Sequence, residues 1–297
     1  MFYSDLKFEP ARKKGWLKRE NEYNFRNSFV GAFVYKYPNR TGILEILQEV
    51  LGEYPRWELL TDDAMRGFRD AVLERMSSSS ARTTFLRLKA VLNEYKDDRN
   101  IPSVRYGDIL TAKSTPVINI YLNEREIERI DEYEPKNETE EYVKTIFLIS
   151  CYTGCRHSDA VRITEENISG NKLSYVSWKT KIKVTIPVHK KLRKYIGKYK
   201  GELLSIPEHN TYIKRICKAC RIDKKVKVFY GGKEHTGEKW EFVSNHTARR
   251  SFATNLYMRG SDIYTVMALM GHTNIEQTRG YICDQRELDS ASMSFFQ

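Results

Sequence analysis

His246-Thr247-Ala248-Arg249-Arg250-Ser251-Phe252-Ala253-Thr254, followed by Gly271-His272 and Thr278-Arg279-Gly280-Tyr281, is the stretch from which the rest of the chain can be read. Between these points apolar residues recur at helical spacing and glycines interrupt them, so three short helices are expected, over 246–258, 262–270 and 274–282. Gly260 and Gly271 stop the first two, and Thr273 with Glu276 reads as a capping box for the third. His246 and Arg249 stand three residues apart and project from one helix face, where both can bear on a single anion. The planar fork of Arg249 suits two non-bridging oxygens of a phosphate. His272 follows a glycine stop that fixes its backbone in a tight turn. Tyr281 is expected on the helix after it.

Upstream, a helix over 141–152 carries Val143, Ile146, Phe147 and Ile149 and ends at Gly154. Ser158 is a candidate cap for a short helix that follows. Arg156 lies in the junction, a rigid mount from which a side chain can point into a cleft, with Asp159 three residues on. Strand-like runs follow over 172–178 and 183–188. The second alternates Val184, Ile186 and Val188 inward with Lys183, Thr185 and Pro187 outward, the period of a hairpin. Lys179 falls at its tip, where it can touch DNA or donate a proton, with Lys181 and Lys183 as rivals. Helical segments are expected near Lys190 and over 211–219, and 226–240 reads as a charged, glycine-containing loop or second hairpin. Asn123 and Glu126 form a capping box that opens a helix at Glu124.

Residues 41–98 read as helices only. Thr41 and Thr61 are candidate caps, residues 77–80 interrupt the pattern, and a third helix carries Phe85, Leu88, Val91 and Leu92 beside Arg82, Arg87 and Lys89. Residues 97–115 read as a linker. The expected organisation is an N-terminal extension over 1–40, a helical module over 41–114, and a second domain over 115–297 with a tail from about residue 283. The extension mixes Lys13, Lys14, Lys18 and Arg19 with Trp16, Tyr23 and Phe25; it is either a nucleic-acid-contacting arm or an amphipathic segment with solvated charges. The fold class is mainly α with small β-hairpins.

The formal net charge of +11 points to a polyanionic partner, nucleic acid first and an anionic membrane surface second. No apolar run approaches the roughly 20 residues of a membrane span, and the mean hydropathy of −0.60 agrees. No signal-peptide layout opens the chain, so a cytoplasmic location is the expectation. Five cysteines, an odd number, argue against a disulfide framework. Cys217 and Cys220 lack the further ligands of a zinc site and read as packing residues, as do Cys151 and Cys155. No metal or cofactor is expected. Arginines, histidines and one tyrosine are what is needed to hold a phosphodiester and attack it. A tyrosine has a free pKa of about 10 and needs nearby cations or a base. With 19 tyrosines in the chain, Tyr281 carries weight only through its company.

That company has an order: Thr153-Gly154-Cys155-Arg156-His157-Ser158-Asp159, then Trp178-Lys179-Thr180, then the His246 to Thr254 stretch, then Leu269-Met270-Gly271-His272-Thr273 through Arg279-Gly280-Tyr281. In this order and spacing the chain resembles the tyrosine recombinase (phage integrase) family. Trp240-Glu241-Phe242-Val243 looks most like integrases of Bacteroidetes mobile elements. The resemblance covers the whole second domain as a catalytic domain, and the helical module looks like the family's SAM-like core-binding domain. It implies that Tyr281 is the nucleophile, giving a 3′-phosphotyrosyl link and a free 5′-hydroxyl. Arg156 and Arg249 would clamp the phosphate, Lys179 would be the general acid, and His246 would assist proton transfer at Tyr281. His272 would hydrogen-bond the phosphate and Asp159 would fill the acidic support position. Arg82, Arg87, Lys89, Lys181 and Arg250 are the expected DNA contacts.

The implied activity is site-specific recombination of double-stranded DNA, by integration, excision or inversion, without a cofactor. A homotetramer on paired sites, monomeric when free and helped by a DNA-bending protein, would act at the bacterial nucleoid. The apolar tail residues Met293, Phe295 and Phe296 would dock on a neighbouring protomer or pack in cis. Type IB topoisomerase activity and a catalytically silent DNA-binding regulator are the alternatives.

Overall fold

The computed structural model describes residues 27–113 and 118–283. The expected basic arm before residue 27 and the expected docking tail lie outside them. The chain divides into two compact units, one reaching to Pro116 and the other beginning at Val117, with Gly231–Lys233 grouped with the first.

The first unit is helical: α1 (Phe29–Lys36), α2 (Gly42–Leu51), α3 (Asp62–Arg75), α4 (Ser78–Tyr95) and the single turn α5 (Tyr106–Ile109). Each of the three larger starts that carry a cap is read from a hydroxyl: Ser28 accepts from the Gly31 N–H, Thr61 from Ala64 and Ser77 from Ser80. The helical pattern breaks at Met76 and Ser77, as expected at the start of the serine run, but Ser77 caps a helix that the next three residues enter. Thr41 makes no side-chain cap bond. The module also begins earlier than residue 41. Phe29, Val30, Phe33 and Val34 of α1 are fully buried in one core with Leu44, Leu47, Phe68, Phe85 and Leu88. The linker contributes too, because Ile109 and Leu110 close that core.

The second unit is built around α7 (Glu138–Thr153), which is buried along most of its length from Tyr142 to Thr153. Asn137 caps it, so it starts a turn before the first apolar residue. The helices α9 (Ile206–Ala219) and α10 (Asn245–Met258) pack against it. Before it, α6 (Glu124–Glu132) opens with the expected capping box: Asn123 Oδ1 accepts from the Glu126 N–H and Glu126 Oε2 from the Asn123 N–H. The same Glu126 carboxylate forms a buried ion pair with Lys239 at 2.6 Å. Cys217 and Cys220 are buried in this core, where burial pushes the Cys220 thiol up to about 11.

A three-stranded antiparallel sheet covers one side: β1 (Ile168–Ser169), β2 (Lys172–Val176) and β3 (Lys183–Pro187). Leu173 faces Ile186 and Tyr175 faces Val184, and these four are the buried residues of the pair. The alternation read from the sequence is thus the inward face. A second hairpin, β4 (Lys225–Tyr230) and β5 (Lys233–Glu238), occupies the stretch left open between loop and hairpin. The chain then runs through α10, α11 (Ile263–Met270) and the short α12 (Ile275–Arg279). The protein is mainly α with small antiparallel sheets. No helix among the described residues is long and apolar enough to cross a membrane.

Candidate active site

Two glycines set the geometry. Gly154 ends α7 at φ +67°, and a Cβ there would lie 2.3 Å from Cδ1 of Phe252 on α10. Gly271 ends α11 at φ +62°, and its Cβ would meet Val184 Cγ2 of β3 at 2.5 Å. Both positions need a left-handed backbone and a bare Cα. The first presses α7 onto α10, and the second presses the turn before His272 onto the sheet. Three distant stretches of sequence converge as a result.

Arg249 is at the centre and only 1% exposed. Its fork donates to the carbonyl of Gly154, to that of Met270 at 2.7 Å, and to the His272 ring at 2.7 Å. Arginine has donors only, so His272 Nε2 accepts and Nδ1 carries the proton. That proton goes to the Thr278 hydroxyl at 3.0 Å. Burial, and after it the guanidiniums of Arg249 and Arg156, push His272 down to about 4, which keeps the ring neutral. In this arrangement His272 holds the Arg249 fork and has no proton free for a phosphate.

Tyr281 lies just beyond α12, in the turn after it rather than on it. Its N–H donates to the Thr278 carbonyl at 2.9 Å. Thr254 of α10 secures this backbone: its hydroxyl bonds to the Tyr281 carbonyl at 3.4 Å and accepts from the Cys283 N–H at 3.0 Å. The Tyr281 ring packs beside His272, with centroids 5.2 Å apart. The guanidinium carbon of Arg249 lies 5.3 Å from the ring centre and that of Arg250 at 6.0 Å. Arg250, an expected DNA contact, is therefore also a neighbour of the tyrosine. The cap of α12 is Asn274, whose side chain accepts from the Glu276 N–H, and not Thr273.

Arg156 is the N-cap residue of the single turn α8 (His157–Ala160), the position expected for Ser158. Its guanidinium donates to the Ser177 hydroxyl at 3.2 Å, and that hydroxyl donates on to Asp159 Oδ2 at 3.3 Å. Asp159, 3% exposed, also accepts the Trp178 N–H at 2.7 Å. Ser177 and Trp178, at the exit of β2, thereby join the arginine to the hairpin. His246 keeps an exposed edge at the start of α10. Burial of the rest of the ring, then the charges of Arg250, Arg249, Arg156 and Lys179, hold its imidazole below the ordinary value. Lys179 is exposed in the turn between β2 and β3 and reaches the group only through its field on His246.

Arg249, His272 and Tyr281 are thus in direct contact. Arg156, Arg250 and His246 lie within their electrostatic reach, and Lys179 stands at the rim. No carboxylate pairs with Arg249 or Arg156 among the described residues. Of the other expected DNA contacts, Arg82 is exposed on α4 and Arg87 half-buried, while Lys89 donates to the Gly107 carbonyl at 3.3 Å. Lys181 lies against Trp178. No local pattern announces Ser177, Thr254 or Thr278, whose roles depend on contacts across elements.

The family model described as the phage integrase family matches residues 121–287, more than half of the chain. The integrase of Escherichia phage P2 is 30% identical over 138 residues, covering 46% of this chain and 36% of that protein. The integrase of Haemophilus phage HP1 is 26% identical over 195 residues, covering 65% of this chain and 52% of that one. The chain therefore spans about half, or less, of the length of these relatives. Among solved structures, a lambda integrase dimer bound to a core site superposes with a TM-score of 0.62 at 16% identity, over 96% of this chain and 97% of that one. That likeness shows a shared fold.

Proposed function

The chain belongs to the phage integrase family, and from that membership we propose that it is a site-specific DNA recombinase. It cuts and rejoins double-stranded DNA through a 3′-phosphotyrosyl link and exchanges strands between two sites. The observation that carries this reading is Arg249: a cation 1% exposed, in contact with Tyr281 and beside Arg156, with no carboxylate partner among the described residues. Excluding a charge from water costs several kcal/mol unless an opposite charge arrives. A phosphodiester supplies one, next to a phenol that can attack it.

In the proposed reaction the Tyr281 oxygen attacks the scissile phosphorus and the bond to the 5′-oxygen breaks. His246, unprotonated at neutral pH because its imidazole is held down, accepts the phenol proton. Lys179 gives a proton to the departing 5′-oxygen. Arg156 and Arg249 stabilise the pentacoordinate phosphorane, where charge is greatest. His272 holds the Arg249 fork in place beside Tyr281, and Asp159, through Ser177 and Trp178, fixes Arg156 relative to the hairpin. The phosphotyrosyl bond conserves the energy of the broken one, so rejoining needs no external energy source. The helical unit would contribute Arg82, Arg87 and Lys89 to the DNA backbone. Four protomers on paired sites would complete the exchange.

The test begins with the sequence of covalent protein–DNA junctions recovered from the native host. Two copies of the recovered site, placed on one plasmid, should be recombined by the purified chain into excised or inverted products. Relaxed but unrearranged plasmid would mean topoisomerase activity instead. Binding without any strand cleavage would mean a silent regulator.

A further inference from the structure

We propose that Trp178, with Arg162 and Lys181 against its ring, is a positioning residue that fixes the hairpin tip so that Lys179, and not Lys181, donates the proton. This rests on the recombinase reading above. Trp178 is 57% exposed, an unusual place for a large apolar side chain with no core to join. The Lys181 ammonium lies 4.2 Å from its ring centre and the Arg162 guanidinium carbon 4.6 Å. Both are within the range of cation–π attraction.

The backbone around the ring is equally tied. The Ser177 N–H donates to the Ile182 carbonyl at 2.9 Å and the Lys181 N–H to the Ser177 carbonyl at 2.8 Å, closing the turn. Lys181 adopts φ +58°, a left-handed conformation that a lysine takes only when its surroundings hold it there. The buried Asp159 carboxylate takes the Trp178 N–H. Arg162, two residues after α8, donates to the Ser158 carbonyl. The tip is thus tied at Asp159 and Arg162 to the segment that carries Arg156. Lys181 is occupied by the ring. Lys179 is exposed between these anchored neighbours, and its charge reaches His246.

The probe is a nicked duplex oligonucleotide carrying the recovered junction sequence, made with either an oxygen or a sulfur at the 5′ leaving position. A 5′-thiolate departs without a proton. Trp178→Ala should slow cleavage of the oxygen substrate about tenfold, two lost cation–π contacts together, and leave the sulfur substrate at the parental rate. Trp178→Phe should recover part of the loss. Lys179→Ala should show the same selective defect, and adding Trp178→Ala to it should cost nothing further. Equal slowing on both substrates, or weaker binding of the oligonucleotide by Trp178→Ala, would overturn the proposal and assign the ring to structure or to base stacking. Sulfur rescue of Lys181→Ala but not of Lys179→Ala would overturn it too. Failure of the parent chain to cleave either substrate would instead remove the recombinase reading, and this inference with it.

Discussion

Gly154→Ala perturbs the site from beneath, without touching a charged group. Alanine at φ +67° must hold a left-handed backbone, which costs roughly 1 kcal/mol. Its methyl carbon would sit 2.3 Å from Phe252 Cδ1, 2.7 Å from Cε1 and 3.0 Å from Cγ. The half-buried ring has to move, and overpacking of this kind costs about 1–3 kcal/mol. The sum is about 2–4 kcal/mol, a large share of the roughly 5–15 kcal/mol that stabilises a domain. For a unit of this size that lowers Tm by roughly 5–15 °C. The displacement also reaches the site, because the Gly154 carbonyl accepts from Arg249. A shift of about 1 Å there can cost on the order of 100-fold in cleavage. Calorimetry of the full chain gives the first quantity and single-turnover cleavage of the recovered site the second. A Phe252→Ala background separates the causes: the ring clash disappears and the backbone strain stays, so Gly154→Ala should then cost only about 1 kcal/mol. A change within about 0.5 kcal/mol in the parent, or the same cost in both backgrounds, would refute the close approach of α7 to α10 as the origin of the site's geometry.

Arg249→Lys keeps the charge, but its single nitrogen cannot stand where the two terminal nitrogens of the fork reach Gly154 on one side and Met270 and His272 on the other; cleavage should fall by about 10²–10³-fold with DNA binding little changed, and a lysine variant cutting at the parental rate would contradict the fork's role. The buried rings of His272 and His209, pushed down to about 4 and about 3, take up protons on unfolding that they refuse when folded. Their stabilising share is therefore full above about pH 6.5 and is lost as pH falls towards those values, with a slope of up to about 1.4 kcal/mol per pH unit for each ring. Denaturant melts between pH 7.5 and 4.5 should show this decline, and His272→Gln should flatten it. The logarithm of the DNA association constant should fall linearly with the logarithm of salt concentration, since phosphate contacts release counterions; a flat line would contradict binding through basic side chains on the phosphate backbone.

The helix stops at Gly154 and Gly271, the Asn123–Glu126 capping box and the inward face of β3 were legible because each is a local signal. Arg156, Arg249, His272 and Tyr281 stand out as a set only through the family resemblance that their order carries, and the structure places them near one another. What escaped depended on choices between near-equivalent residues or on contacts between distant ones. Thr273 and Asn274 can both cap, and the structure uses Asn274, so α12 begins one residue later than expected; it closes at Gly280, which leaves Tyr281 in the turn after it. The break between α3 and α4 falls at Met76 and Ser77 and does not extend across the whole serine run, because a helix uses only one of four adjacent candidate caps. The apolar run over residues 29–34 carries its own signal of burial, but the helix it docks against, α4, lies far along the chain and could not be read from it. Ser177 bonds to Arg156 from 21 residues away, and nothing in either stretch announces the other. Arg250, one residue from Arg249, is an expected DNA contact, but its nearness to Tyr281 comes from the placement of that tyrosine after the helix, which no local pattern announces.

The most direct test of the assignment is the chemistry of the protein–DNA link itself. Covalent complexes trapped on the nicked duplex, digested and sequenced by mass, should carry the nucleotide on Tyr281 through a 3′-phosphate. Tyr281→Phe should bind the duplex as the parent does and trap nothing. An adduct on Tyr257, Tyr264 or any other residue, or capture persisting in Tyr281→Phe, would contradict the assignment of Tyr281 as the nucleophile.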